Sequence, residues 1–193
     1  MECVPVAREI HQERANKLRG DGLTTEQFTE IYERYFDRVY KYIYYRIQNQ
    51  YESEDICSQV FETVIAKFHT FSEERASFEV WLFAIARNAV TDYFRSRNKR
   101  FHFSLDSIAE FIMPKSSPEE LAIQNDTHRT LFQALAKLRD KEKNILALKF
   151  AAGLKNAEIA AMMNISESNI GVVVYRSLKK LEKILGTGRD RDE

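Results

Sequence analysis

Phe71, Phe78 and Trp81 precede Arg87 and Arg95 on a stretch that also carries Asn88 and Asp92. Rings beside cations suit unpaired nucleobases, which stack on the aromatic faces while the charges hold the backbone. A closed duplex hides those faces, so such a surface takes bases from opened or flipped DNA. The plainer reading makes Phe78 and Trp81 core, and makes Asn88 and Asp92, four apart, a satisfied polar pair. Bond-making chemistry has far less support. His11, His69, His102 and His128 are scattered, and neither a His-Glu-x-x-His motif nor a phosphate loop occurs. Cys3 and Cys57 share no metal-ligand spacing. Neither an enzyme nor a bound cofactor is expected.

A second constellation lies at 154–176. Ile159, Ala160 and Met163 form the inner face of a short helix, and Asn164 tolerates the left-handed turn that follows. Ile165 anchors that turn and Ser166 can cap the next helix. Small Ala160 and Ala161 let two helices cross closely. This is the steric pattern of a helix-turn-helix, whose second helix enters a major groove; an ordinary helical hairpin in a core is the alternative. On the second helix Asn169 offers one amide, Val172 and Val173 can touch thymine methyls, and Gly171 allows close backbone approach. Arg176, Lys179, Lys180 and Lys183 suit phosphates. Modest direct readout, helped by DNA shape, is expected.

Charge looks uninformative at first, because 29 basic residues cancel 29 acidic ones. Its distribution is not even. Residues 52–79 hold seven acids and two bases, and 87–100 hold five bases and one acid. Residues 106–126 hold five acids and one base, and 129–183 hold eleven bases and five acids. Alternating blocks can serve two partners of opposite sign, and a basic block neutralises phosphates locally. Solvated helix faces would give the same blocks without any partner.

The elements that must position these residues are helices. Six Gly and three Pro in 193 residues disfavour a turn-dense β fold. Thr24 or Thr25 caps a helix carrying Phe28, Ile31, Tyr32, Tyr35, Val39, Tyr42 and Ile43 at helical spacing. Ser53 opens a second, with Ile56, Val60, Phe61, Val64 and Ile65 on its apolar face. A loop at 72–77 leads to a third, from Phe78 to Arg100. Pro114 and Pro118 interrupt the pattern, with a short turn at 107–112, and helices resume at about 119–137, 140–152, 155–163 and 167–185. The fold class is all-α: two small helical domains, 24–100 and 128–186, joined by a flexible linker at 101–127. Residues 1–23 are an extension and 187–193 a polar tail. No apolar run reaches the ~18 residues of a membrane span, so membrane insertion is not expected and the cytoplasm is the default.

The motif Phe78-x-x-Trp81-Leu82-x-x-Ile85-Ala86-Arg87-Asn88-x-x-x-Asp92-Tyr93-x-Arg95 resembles region 2 of the extracytoplasmic-function (group 4) sigma factors. Leu138 to Leu148, Gly153-Leu154, Glu158-Ile159-Ala160 and Arg176 to Leu181 resemble their region 4. The resemblance runs in order over about 24–185. It implies a subunit that binds core RNA polymerase, recognises −35 and −10 promoter elements, and assists DNA opening. By the same resemblance Asp55, Ile56, Gln59 and Phe61 would dock on the clamp helices of the largest polymerase subunit. Phe71, the 72–77 loop and Asn88 would capture a flipped −10 base, with Phe78, Trp81, Arg87, Asp92 and Arg95 in the same melting region. Ser166, Ser168, Asn169, Gly171, Val172, Tyr175, Arg176 and Lys179 would read the −35 element. The β flap and an anti-sigma factor are the further partners the family implies. The sequence departs from the family where Ser58-Gln59 replaces a Gln-Glu pair and where Gly171 and Val173 replace early basic residues. A helix-turn-helix regulator acting without polymerase, or a protein that binds polymerase or sigma, would share parts of this pattern.

Overall fold

The computed structural model describes residues 23–103 and 125–189, all helix, turn and loop. The extension at 1–22, most of the linker, its expected turn at 107–112 and the last four residues lie outside the described residues. Helix α1 (Thr25–Ile47) begins at Thr24, whose hydroxyl accepts from Gln27 N while Gln27 closes the reciprocal bond. It ends at Gln48 in a left-handed conformation. Helix α2 (Gln50–Lys67) starts four residues earlier than a cap at Ser53 would place it. Asn49 is the cap, accepting from Glu52 N, and Ser53 is a buried first-turn residue bonded back to Asn49 O. Both residues are good caps, and the tight connection after Gln48 put Asn49 in the extended conformation that capping needs.

A turn of 3₁₀ helix at Phe68–Thr70 and the 71–77 loop lead to α3 (Phe78–Phe103). The C-terminal half contains α4 (Asn125–Ala136) and α5 (Asp140–Leu146), and a π turn at Ala147–Ala151 extends α5. Gly153 follows with φ +73°, a conformation only glycine adopts at little cost. Helices α6 (Asn156–Met163) and α7 (Glu167–Arg189) complete the fold. Glu142 and Glu158 each reach back to the backbone N–H that opens their own helix, at Arg139 and Lys155.

The N-terminal half packs α1, α2 and α3 around Phe61, which is fully buried among the rings of Phe28, Tyr32 and Phe36. The two halves do not stand apart. One buried cluster runs from Val39, Tyr42 and Phe83 into Ile145, Leu148, Leu154 and Ile159. A smaller cluster of Ala134, Leu138, Leu146 and Leu181 ties α4 and α5 to α7.

Candidate nucleic-acid and polymerase interfaces

On α3 the 100° step of an α-helix puts Trp81, Asn88, Asp92 and Arg95 on one face, within about 60° of one another. Asn88, Asp92 and Arg95 are exposed, and Arg95 pairs with Asp92 at 3.5 Å. At the N-terminal end of this stripe stands an aromatic cluster. Phe71 meets Phe78 edge-on at 5.4 Å and Trp81 at 5.5 Å, and Phe78 lies 5.7 Å from Trp81. All three are half-buried. Phe78 and Trp81 are therefore neither plain core nor free rings; they form a wall beside the 72–77 loop. Arg87 departs from the stripe. It lies about 120° round the helix and its guanidinium donates to the Met162 carbonyl at 3.5 Å. The sequence motif grouped it with the stripe, yet the fold turns it toward the C-terminal half.

Helix α2 divides its expected docking residues. Asp55 and Gln59 are exposed and bonded to each other at 2.8 Å. Ile56 is 4% exposed and Phe61 is fully buried, so neither can touch a partner directly. This corrects their place in the docking set: they hold the helix on α1, because an amphipathic helix can offer only its outer face. That outer face carries one large residue that sequence reasoning did not single out. Tyr51 is 74% exposed and stands four residues before Asp55 and eight before Gln59, on the same face. That spacing was the available signal.

The helix-turn-helix has the expected turn. Asn164 is left-handed at φ 52° and ψ 49°, Ile165 N donates to Ala160 O, and Ser166 Oγ accepts from Asn169 N at 3.3 Å. Ile170 and Ser177 face inward. Ser168, Asn169, Val172, Tyr175, Arg176 and Lys179 are all exposed and fall within an arc of about 120°. Ser166 is exposed at the cap. Gly171 is half-buried, and a Cβ there would meet only Asn156 Nδ2, at 3.9 Å, so packing does not demand the glycine. Leu178 is a further exposed apolar residue on this helix. Lys179 pairs with Glu182 at 2.8 Å, and Lys180 with Glu142, whose carboxyl that ammonium holds below the usual range.

One ion pair sits where the two halves meet. The Arg38 fork donates to both Glu79 oxygens, at 2.9 and 3.0 Å. That hydrogen bonding lowers the Glu79 carboxyl from its usual value of 4.5. A carboxylate depressed in the folded state contributes stability above its unfolded pKa, and the contribution disappears as pH falls through the depressed value. The junction should therefore loosen only once pH has fallen below the ordinary carboxylate range. Intrinsic Trp81 fluorescence followed from pH 7 to pH 3 checks this, and a Glu79→Gln variant should flatten the acid limb.

Among the described residues no group of His, Cys, Asp and Glu could hold a metal ion, and no helix is long and apolar enough to cross a membrane. Two family models match the chain in order: Sigma-70 region 2 over residues 31–100, and Sigma-70, region 4 over residues 128–181. Together they cover more than half of it. The chain belongs to the extracytoplasmic-function branch of the sigma-70 family. It is 31% identical over 167 residues to the ECF RNA polymerase sigma factor BldN of Streptomyces coelicolor, covering 86% of this chain and 63% of the relative. It is 29% identical to SigX of Bacillus subtilis, covering 82% of this chain and 83% of the relative. The fold matches the sigma factor RpoE, solved with the anti-sigma factor NepR from Bartonella quintana. The TM-score is 0.66 at 20% identity, over 83% of this chain and 98% of that one. In this sigma factor region 2 is thus the α1–α3 bundle with the aromatic wall, and region 4 carries the helix-turn-helix.

Proposed function

We propose that this sigma factor directs transcription initiation by docking on core RNA polymerase through α2, capturing unpaired −10 bases at the aromatic wall, and reading the −35 element with α7. The ordered pair of regions, each with an exposed helical face of suitable chemistry, is the observation that carries this reading. Tyr51, Asp55 and Gln59 supply the polymerase face. Phe71, Phe78, Trp81 and Asn88 supply the capture site, with Asp92 and Arg95 along the same stripe. Ser166, Ser168, Asn169, Val172, Tyr175, Arg176 and Lys179 supply the duplex reader. The acidic α2 region and the basic α7 region serve partners of opposite sign, so free protein binds DNA weakly and polymerase-bound protein binds it well. The chain contributes recognition rather than bond chemistry and works in the cytoplasm, where polymerase and promoter meet. An anti-sigma factor is its expected regulator, as the RpoE–NepR pair suggests by analogy.

Run-off transcription with core enzyme and a promoter library tests the whole reading. Selective transcripts, together with co-elution of the protein and core, are expected. Core activity left unchanged on every promoter, without co-elution, would sink it. A narrower expectation concerns Arg176→Ala and Lys179→Ala. Each should weaken duplex binding across sequences and reduce the salt slope of log K by about 1.

A further inference from the structure

We propose that Ser168, Gly171, Val172 and Tyr175 form a hole on α7 that takes the C5 methyl group of one thymine, so that part of the −35 element is read by apolar fit. The inference rests on the −35 reading of α7 above. These residues stand at positions i, i+3, i+4 and i+7, the four-residue diamond that accepts one protruding group when helices interlock. Val172 is 45% exposed and Tyr175 63%, although both carry large apolar surface. Val173, the other valine expected to touch methyls, is half-buried and packs on the core instead. Gly171 leaves one corner of the diamond without a side chain. A Cβ there would meet only Asn156 Nδ2, at 3.9 Å, so the fold has room for an alanine that the helix would favour. The glycine keeps the hole open at a cost to the helix.

What surrounds the hole identifies its occupant. It lies in the N-terminal turns of α7, the end of a second helix-turn-helix helix that meets base edges. Among the groups that base pairs show in the major groove, the thymine C5 methyl is the apolar one. Arg176, exposed beside Val172 and Tyr175, puts a cation next to the hole, where a phosphate would flank the base. The one polar corner is already engaged, because Ser168 Oγ is hydrogen-bonded to Ser166 Oγ at 3.1 Å. A partner protein's helix would need a row of such holes. The next along this face, between Tyr175, Leu178, Lys179 and Glu182, is spanned by the Lys179–Glu182 ion pair at 2.8 Å. A hole with no successor suits a single small group.

Deoxyuridine, which lacks only that methyl, provides the test with the full-length chain. The probe is a −35 duplex from a promoter selected in the run-off assay, with each thymine replaced in turn, and fluorescence anisotropy reads the affinity. One position should stand out with a loss of about fourfold, the value of one methyl withdrawn from water. Gly171→Ala places a methyl group of the protein's own in the hole. It should raise the thermal midpoint by a few degrees, since alanine is the better helix former, yet bring the thymine-to-uracil ratio at that position close to one. Val172→Thr, which keeps the shape but adds a hydroxyl, should lower the same ratio. A duplex indifferent to every substitution, or variants that kept the fourfold ratio, would overturn the inference and leave α7 as a −35 reader by other contacts. Absence of binding to every −35 duplex would overturn the −35 reading itself, and the methyl site with it.

Discussion

Phe61→Ala is expected to melt region 2 rather than merely weaken polymerase binding. The ring is fully buried, with Tyr32 at 4.8 Å, Phe36 at 6.2 Å and Phe28 at 6.4 Å between centroids. Truncating such a ring removes its transfer energy and leaves a cavity, together about 3–5 kcal/mol. A typical domain has only about 5–15 kcal/mol in all. The thermal midpoint should fall by more than about 10 °C, as read by circular dichroism. Asp55→Ala provides the contrast. Its carboxylate is exposed and accepts a hydrogen bond from Gln59 Nε2, so stability should change by no more than about 0.5 kcal/mol. Association with core should weaken all the same. A Phe61→Ala protein that melted like wild type and lost only polymerase binding would return Phe61 to the docking face.

Phe71→Ala combined with Asn88→Ala should cripple promoter opening and leave duplex binding nearly intact. Phe71 forms one wall of the aromatic cluster, and Asn88 is the first exposed amide along the stripe beyond Trp81. Base stacking on an aromatic side chain is worth about 1–3 kcal/mol, and a hydrogen bond adds about 1 kcal/mol. Open-complex formation should therefore fall about 30- to 1,000-fold. Binding to a −35 duplex, which uses α7 alone, should stay within about twofold, since well-separated sites act independently. A 2-aminopurine reporter in the −10 strand measures the first quantity and fluorescence anisotropy the second. Equal losses in both would count against separate roles for the two regions.

The capping box at Thr24 and the left-handed Asn164 were legible because both are local: a few consecutive residues contain the whole cause. The same holds for the α7 face, where one inward helix edge (Ile170, Ser177, Leu181) leaves the opposite arc to solvent. Locality also misled. Asn49 and Ser53 are equally good caps in sequence, and the choice between them came from how the chain leaves α1 at Gln48. The docking helix shows the same limit. Ile56 and Phe61 carry the family pattern as plainly as Asp55 does, but a pattern does not say which residues face a neighbour.

By itself, the sequence determined two helical regions in a fixed order, the turn between α6 and α7, and the alternating blocks of charge. Each depends on residues within a turn or two of one another. Tertiary structure alone decided that Tyr51 stays exposed beside Asp55 and Gln59, that Arg87 bonds to Met162, and that Tyr42 finds Asn144. Those outcomes depend on what packs against a helix from as far as 102 residues away. Helical period fixes which side chains share a face, and only the neighbour fixes whether that face is buried, bonded or free.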